Sequence, residues 1–263
     1  MSIKIIKEFG LLVGIFLIIW LIFIYAPIRP EAPESAISLE QEQKIGEILI
    51  DSYLQEVTVV SDSTVTRVID RIYQRLLHGL ETTDYDYQIY VVKNENVNAF
   101  ATLGGNIVVF TGLIKYADSP EEVAAVLAHE IGHIEERHVV NKVVKELGVG
   151  LVLSILTGGD AGFLNQILQQ SVTTVFDRSQ ESEADDYGLE LLENARIHPN
   201  SMAMIFRKIR DKYASSTIET LEFLSSHPNT NKRIKKSLDY KTAQDFQSNP
   251  FTAIDWTIVK SIL

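Results

Sequence analysis

His129-Glu130-Ile131-Gly132-His133-Ile134-Glu135-Glu136-Arg137-His138 opens with an H-E-x-x-H motif. Two histidines at i and i+4 lie on one face of a helix, one turn apart. Their imidazoles can take adjacent corners of a zinc tetrahedron, at roughly 2.0–2.1 Å each. The glutamate between them reaches the same pocket without being a ligand. There it can take a proton from an attacking water and pass it to a leaving amine. Upstream, Asp118-Ser119-Pro120-Glu121-Glu122 reads as the helix start, with Ser119 at the N-cap, Pro120 at N1 and Glu122 completing a capping box. Val123, Val126, Leu127, Ile131 and Ile134 continue at helical spacing, so they can pack while His129 and His133 face a cleft. A helix with two surface or merely hydrogen-bonded histidines is the plainer alternative. The expectation is one zinc ion per chain.

Two histidines leave zinc short of a protein ligand, and a glutamate from a later helix is a standard solution. Arg178-Ser179-Gln180-Glu181-Ser182-Glu183-Ala184-Asp185 offers Glu181 and Asp185 at i and i+4. With Glu181 as ligand, Asp185 sits one turn away, where it can hydrogen-bond and orient a ligand histidine. Glu183 points elsewhere. Alone, this stretch would read as an acidic solvated face. With H-E-x-x-H upstream and no cysteine in the chain, the ligand reading prevails. Between the first helices and the motif, Tyr85 to Lys93 reads as a strand. Val97 to Ala101 and Asn106 to Phe110 flank Leu103-Gly104-Gly105 as a hairpin. An exposed edge strand beside the zinc helix can pair with an extended peptide. A purely structural hairpin fits the periodicity equally well.

The 263 residues allow one sizeable domain with attachments. The absence of cysteine excludes disulfides, thiolate zinc sites and a catalytic cysteine. A formal charge of −11 argues against a nucleic-acid partner. Phe9 to Ala26 is uncharged and apolar, with Lys4 and Lys7 before it and Arg29, Glu31 and Glu34 after it. It reads as a membrane anchor with the large domain outside the cytoplasm. A cleaved signal peptide is the rival, and Ile24-Tyr25-Ala26 before Pro27 is a poor cleavage site for it. The expected layout is an anchor over 1–26, a linker over 27–38, a domain over 39–240 and a tail over 241–263 that carries a short helix. Leu39 to Glu56 and Ser63 to Leu80 read as amphipathic helices, the second ending at His78 and Gly79. The apolar run Leu147 to Leu156 reads as a buried helix, with a lid or membrane-resting helix as the alternative. In the tail, Phe251, Ile254, Trp256, Ile258 and Val259 form a helix that packs back or meets a partner.

Asn98-Ala99-Phe100-Ala101, the H-E-x-x-H, Arg178 with E-x-x-A-D, and the late Ser226-His227-Pro228 together resemble the gluzincin peptidases. More narrowly they resemble the branch holding the CAAX prenyl proteases, HtpX, BepA and the overlapping-activity protease of the mitochondrial inner membrane. The likeness runs over about Leu39 to Leu238. It implies a mainly helical α+β zincin-type domain with a small sheet beside the H-E-x-x-H helix. It also implies zinc held by His129, His133 and Glu181, with Glu130 as general base. Asn98, Ala99, Phe100 and Ala101 would form the edge strand along which substrate lies. Asp185 and Arg178 would support the ligands from behind. His227 would lie over the zinc. There it either donates to the developing oxyanion or fills the open zinc position and holds the enzyme inactive. Arg233 then anchors that loop or a neighbouring carboxylate.

The chain departs from the pattern in places. Asp177 stands where relatives often have serine, and the chain shows one apolar span where the CAAX proteases and HtpX have several. His138 falls one residue short of the metzincin third histidine and Glu136 replaces that class's glycine, which assigns His138 to the surface or to a place behind the ligands. The resemblance implies a membrane-anchored zinc endopeptidase facing the periplasm and acting on unfolded or misassembled envelope proteins. A zinc-stabilised chaperone or adaptor that binds peptides without hydrolysis is the competing class. Oligomeric state is open.

Overall fold

A computed structural model describes residues 36–158, 175–215 and 230–263, together with Gly14, Ile167 and His227. The chain divides into residues 1–36 and 37–263. Apart from Gly14, the expected anchor lies outside the described residues, as do most of the expected linker and most of 161–176. Among the described residues, no helix is long and apolar enough to cross a membrane.

Helix α1 (Leu39–Glu56) has the span that its periodicity predicts. Ser38 and Gln41 exchange side-chain bonds to each other's backbone N–H and fix its start. Asp62 caps α2 (Ser63–Leu77), which ends at His78 as expected. The sheet has strands β1 (Gln88–Val92), β2 (Ala99–Ala101) and β3 (Asn106–Phe110) in the order β1-β3-β2. β2 and β3 form the expected antiparallel hairpin, while β1 joins β3 in parallel. The turn between β2 and β3 needs positive φ, which Gly104 (75°) and Gly105 (84°) supply. β3 is buried along its whole length because both its faces are covered. Phe100, Val108 and Phe110 pack with Ile50 of α1 and Val92, and the Phe100 ring meets Tyr53 and Phe110 edge-on at 5.7 and 5.9 Å.

After α3 (Thr111–Tyr116) comes α4 (Pro120–Glu135), which carries the H-E-x-x-H motif. Ser119 occupies the N-cap, but the expected capping box does not form. Glu122 is buried, and its Oε2 accepts instead from Asp118 N at 2.8 Å and from Lys208 Nζ at 3.2 Å. A cation on a neighbouring helix outcompetes the local cap for a carboxylate that has left water.

Arg137 then takes a left-handed conformation (φ 55°, ψ 26°) and starts α5 (His138–Leu147). The apolar run Leu147 to Leu156 is not one buried helix. It breaks at Gly148, continues as α6 (Val149–Ser154) and a short 3₁₀ turn, and buries Val152 and Ile155 while Leu151 stays 45% exposed. Helix α7 (Arg178–Asn194) opens on an Asp177–Gln180 capping box, which accounts for aspartate at that position. α8 (Asn200–Ser215), α9 (Thr230–Asp239) and α10 (Trp256–Ile262) complete the described helices. The tail packs back on the domain. Tyr240 OH and Ala243 N both donate to Glu193, Phe251 N donates to Glu121, and Trp256 Nε1 donates to Ala117 O at 2.9 Å.

Candidate metal centre

Two helices build the centre, and their close approach has a simple cause. α4 and α7 meet through small residues, Ala128 and Gly132 on one and Ala184 and Gly188 on the other. A Cβ at Gly132 would stand 2.7 Å from the Ala184 carbonyl oxygen and 3.0 Å from its Cα. Hydrogen at that position lets the backbones touch. His129 and His133, on the same side of α4, therefore reach Glu181 and Asp185, which share a face of α7.

The donor atoms converge. His129 Nε2 lies 3.1 Å from His133 Nε2 and 3.2 Å from His227 Nδ1. Glu181 Oε1 lies 2.8 Å from His227 Nδ1 and 3.4 Å from His133 Nε2. The corners of a tetrahedron with zinc bonds of roughly 2.0–2.1 Å stand about 3.3 Å apart. All four residues are buried. Glu181 Oε2 and Glu130 Oε1 accept no hydrogen bond among the described residues. Buried carboxylate oxygens rarely stay unsatisfied. The donor set of imidazoles and a carboxylate therefore fits a divalent metal.

The charges are arranged to match. Burial, and after it the charge of Arg233, brings His129 down to about 4. Burial likewise holds His133 well below its ordinary value. Both imidazoles are thus neutral, as a metal ligand must be. Burial raises the Glu181 carboxyl, but the charges of His227 and Arg233 outweigh it and hold the group well below the usual range. For His227 burial acts downward, yet the Glu181 carboxylate more than offsets it and raises the imidazole. Burial pushes Glu130 up to about 7, against the pull of His227 and of the Ala101 N–H.

Further groups hold the ligands in place. Asp185 Oδ1 lies 3.1 Å from His129 Nδ1, and Arg233 pairs with Asp185 at 2.8 Å. Arg233 Nη1 is also 2.6 Å from Glu181 Oε2, an ion contact without hydrogen-bond alignment. The Arg233 guanidinium stacks over Phe206 at 4.2 Å, and Phe206 meets His129 edge-on at 6.0 Å. Phe176 stacks on His133 at 3.8 Å. Glu130 Oε2 accepts from Ala101 N at 2.9 Å, which ties the motif glutamate to edge strand β2.

Of the residues expected at the site, His129, Glu130, His133, Glu181, Asp185, His227, Arg233 and the Ala99–Ala101 strand come together. Asn98 is buried beside that strand, its carbonyl accepting from Phe110 N. Arg178 does not join the ligands. It is exposed, and it lines a cavity of about 170 Å³ with Ser182, Lys232 and Lys236 behind Glu181 and Asp185. Its place as the first residue of α7 turns it outward, with no ion pair among the described residues. The sequence reading missed Phe176 and Phe206, which carry no ligand chemistry to mark them. It also set aside Glu183, although a bond to His138 brings that carboxylate toward the centre.

Comparison with known proteins places these features in a family. The profile of Peptidase family M48 matches residues 63–241. The beta-barrel assembly-enhancing protease of Yersinia pestis is 29% identical over 216 residues, covering 76% of this chain and 44% of the relative. The mitochondrial metalloendopeptidase OMA1 of Schizosaccharomyces pombe is 27% identical over 224 residues, covering 81% of this chain and 64% of the relative. Metalloprotease LoiP of Escherichia coli (strain K12) is 32% identical over 156 residues, covering 57% of this chain and 61% of the relative. The chain spans less than half the length of the beta-barrel assembly-enhancing proteases it matches. With the profile covering most of its residues, the chain belongs to peptidase family M48.

Proposed function

We propose that this chain is a zinc-dependent metalloendopeptidase that cuts extended, unfolded polypeptide. One observation carries the reading: a buried two-histidine, one-glutamate donor set stands next to a carboxylate tied to an edge strand. His129, His133 and Glu181 would hold the zinc. Bound there, zinc would polarise the scissile carbonyl and the attacking water.

The protein's own groups do the rest. Glu130 near pH 7 can take a proton and return it, since burial sets its carboxyl at about 7. The Ala101 N–H fixes Oε2, and Oε1, 3.5 Å from His227 Nε2, would be the oxygen that takes the proton. On either side of β2, bonds to the β3 ends run through Asn98 and Thr102. The alternate residues Ala99 and Ala101 therefore direct their backbone groups away from β3. The strand is not exposed as expected: Ala99 is 0% and Ala101 4% exposed and the Ala101 N–H is held by Glu130, so an extended substrate would have to open this edge before its main chain pairs there.

His227 Nδ1 stands in the position of a fourth donor, which supports the plug role over the oxyanion role. The resting enzyme is then latent, and substrate must displace this imidazole. Asp185 and Arg233 orient His129 and anchor Glu181.

The charge pattern around residues 9–26 supports an N-terminal anchor with the catalytic domain outside the cytoplasm. Its likeness to relatives named beta-barrel assembly-enhancing protease supports misassembled envelope proteins as substrates. Casein hydrolysis by the zinc-loaded full chain tests the reading. The rate should rise in His227→Ala and vanish in Glu130→Gln. A His227→Ala variant that loses activity would exclude the plug role.

A further inference from the structure

His133 has a second ring nitrogen, and the structure gives it an unusual partner. His138 begins α5, five residues on, yet is only 4% exposed. The left-handed turn at Arg137 sends the chain back so that the His138 ring returns to α4. Arg137 is fixed in that turn by bonds to Ile37 O at 2.8 Å and Glu42 Oε2 at 3.0 Å. As a result His138 Nδ1 lies 3.0 Å from His133 Nδ1. On its far side, His138 Nε2 lies 3.1 Å from Glu183 Oε2, and Ser179 Oγ donates to Glu183 Oε1 at 2.9 Å.

The protons in this chain have one consistent arrangement when His133 offers a lone pair at Nε2. Its hydrogen must then sit on Nδ1 and donate to His138 Nδ1. His138 in turn carries its hydrogen on Nε2 and donates to Glu183. The opposite His138 tautomer would set two N–H groups against each other at 3.0 Å. His129 is served differently, by the Asp185 carboxylate directly.

We propose that His138 and Glu183 form a positioning relay that fixes the tautomer and ring orientation of His133 as a metal ligand. The relay rests on the metal centre proposed above. It replaces a direct carboxylate partner with an imidazole and a carboxylate in series, and it ends at a glutamate whose side chain is 50% exposed. Outer partners of this kind affect metal affinity by about 10–100-fold.

The test is zinc affinity of the full-length chain, measured by competition with a chromophoric chelator, beside thermal melting of the zinc-free forms. His138→Phe keeps the ring volume and removes the acceptor, so its dissociation constant should rise about 10–100-fold. His138→Asn keeps an acceptor near the Nδ1 position and should stay much closer to wild type. Glu183→Gln, at a half-exposed position, should weaken binding by a smaller factor with unchanged zinc-free melting. If His138→Phe fails to fold, the His138→Asn and Glu183→Gln results decide, and wild-type affinity in Glu183→Gln overturns the relay. A His138→Phe chain that binds as tightly as wild type, or a His138→Asn chain as weak as His138→Phe, also overturns it. A wild-type chain that takes up no zinc overturns the metal centre itself, and the relay with it.

Discussion

Gly132→Ala adds one methyl group to a residue that touches no metal and should nevertheless weaken the centre. The new Cβ would stand 2.7 Å from Ala184 O, where ordinary contact begins near 3.4 Å, a deficit of 0.7 Å. Backbone lies on both sides, so neither partner can rotate away. α7 must move off α4 by most of that distance, taking Glu181 with it. Metal–ligand bonds tolerate about 0.2 Å. Zinc affinity should therefore fall by at least about tenfold even though every ligand is intact. Overpacking costs about 1–3 kcal/mol, and the helix propensity of alanine offsets up to about 1 kcal/mol. The zinc-free chain should lose between about 0 and 3 kcal/mol. Gly150→Ala is the control. Nothing lies within 4 Å of its Cβ, so it should stabilise α6 slightly and leave zinc affinity unchanged. The assay is chelator competition with denaturant melts of the zinc-free proteins. A Gly132→Ala chain that binds zinc as tightly as wild type would refute the argument that contact between these helices sets the ligand geometry.

Two other outcomes follow from the packing around the site. Burial raises the Asp185 carboxyl, but Arg233 more than offsets this and holds it below its ordinary value. The stability it contributes is complete above the unfolded-state value of about 3.9 and is lost as the pH falls below it. Asp185→Asn should thus cost about 3 kcal/mol at pH 7, and zinc-free melts should show this gap closing as the pH falls below about 4. Trp256 is buried and bonded to Ala117 O at 2.9 Å, so Trp256→Ala should destabilise the domain by about 3 kcal/mol. An unchanged denaturation midpoint would mean that the tail is not part of the cooperative unit.

The centre was largely legible because its chemistry demands rare residues at fixed spacing. H-E-x-x-H and E-x-x-A-D each place two functional groups on one helix face, and the absence of cysteine left few candidates for the remaining ligand. α1 and the β2–β3 hairpin were legible for a different reason. Periodicity and turn glycines act locally, and here nothing distant overrode them. What escaped depends on partners far along the chain. Pairing of β1 with β3 in parallel cannot be read from either strand's pattern. Glu122 left its predicted cap for Lys208. His138 was read as a surface residue or one behind the ligands, from the metzincin spacing alone, and its contact with His133 depends on the left-handed Arg137. A non-glycine residue at positive φ is uncommon, and sequence gives no reason to place one there. Gly132 stood in the open as one of the motif's unspecified positions, and its contact with Ala184 appears only when the two helices are docked.

The most direct test of the metallopeptidase account pairs two numbers on one sample set. Zinc content by elemental analysis and casein hydrolysis would be measured for the full-length wild type and for Glu130→Gln. The account predicts about one zinc in both, and cleavage by the wild type alone. Equal cleavage by Glu130→Gln, or a folded wild-type chain that holds no zinc, would contradict it.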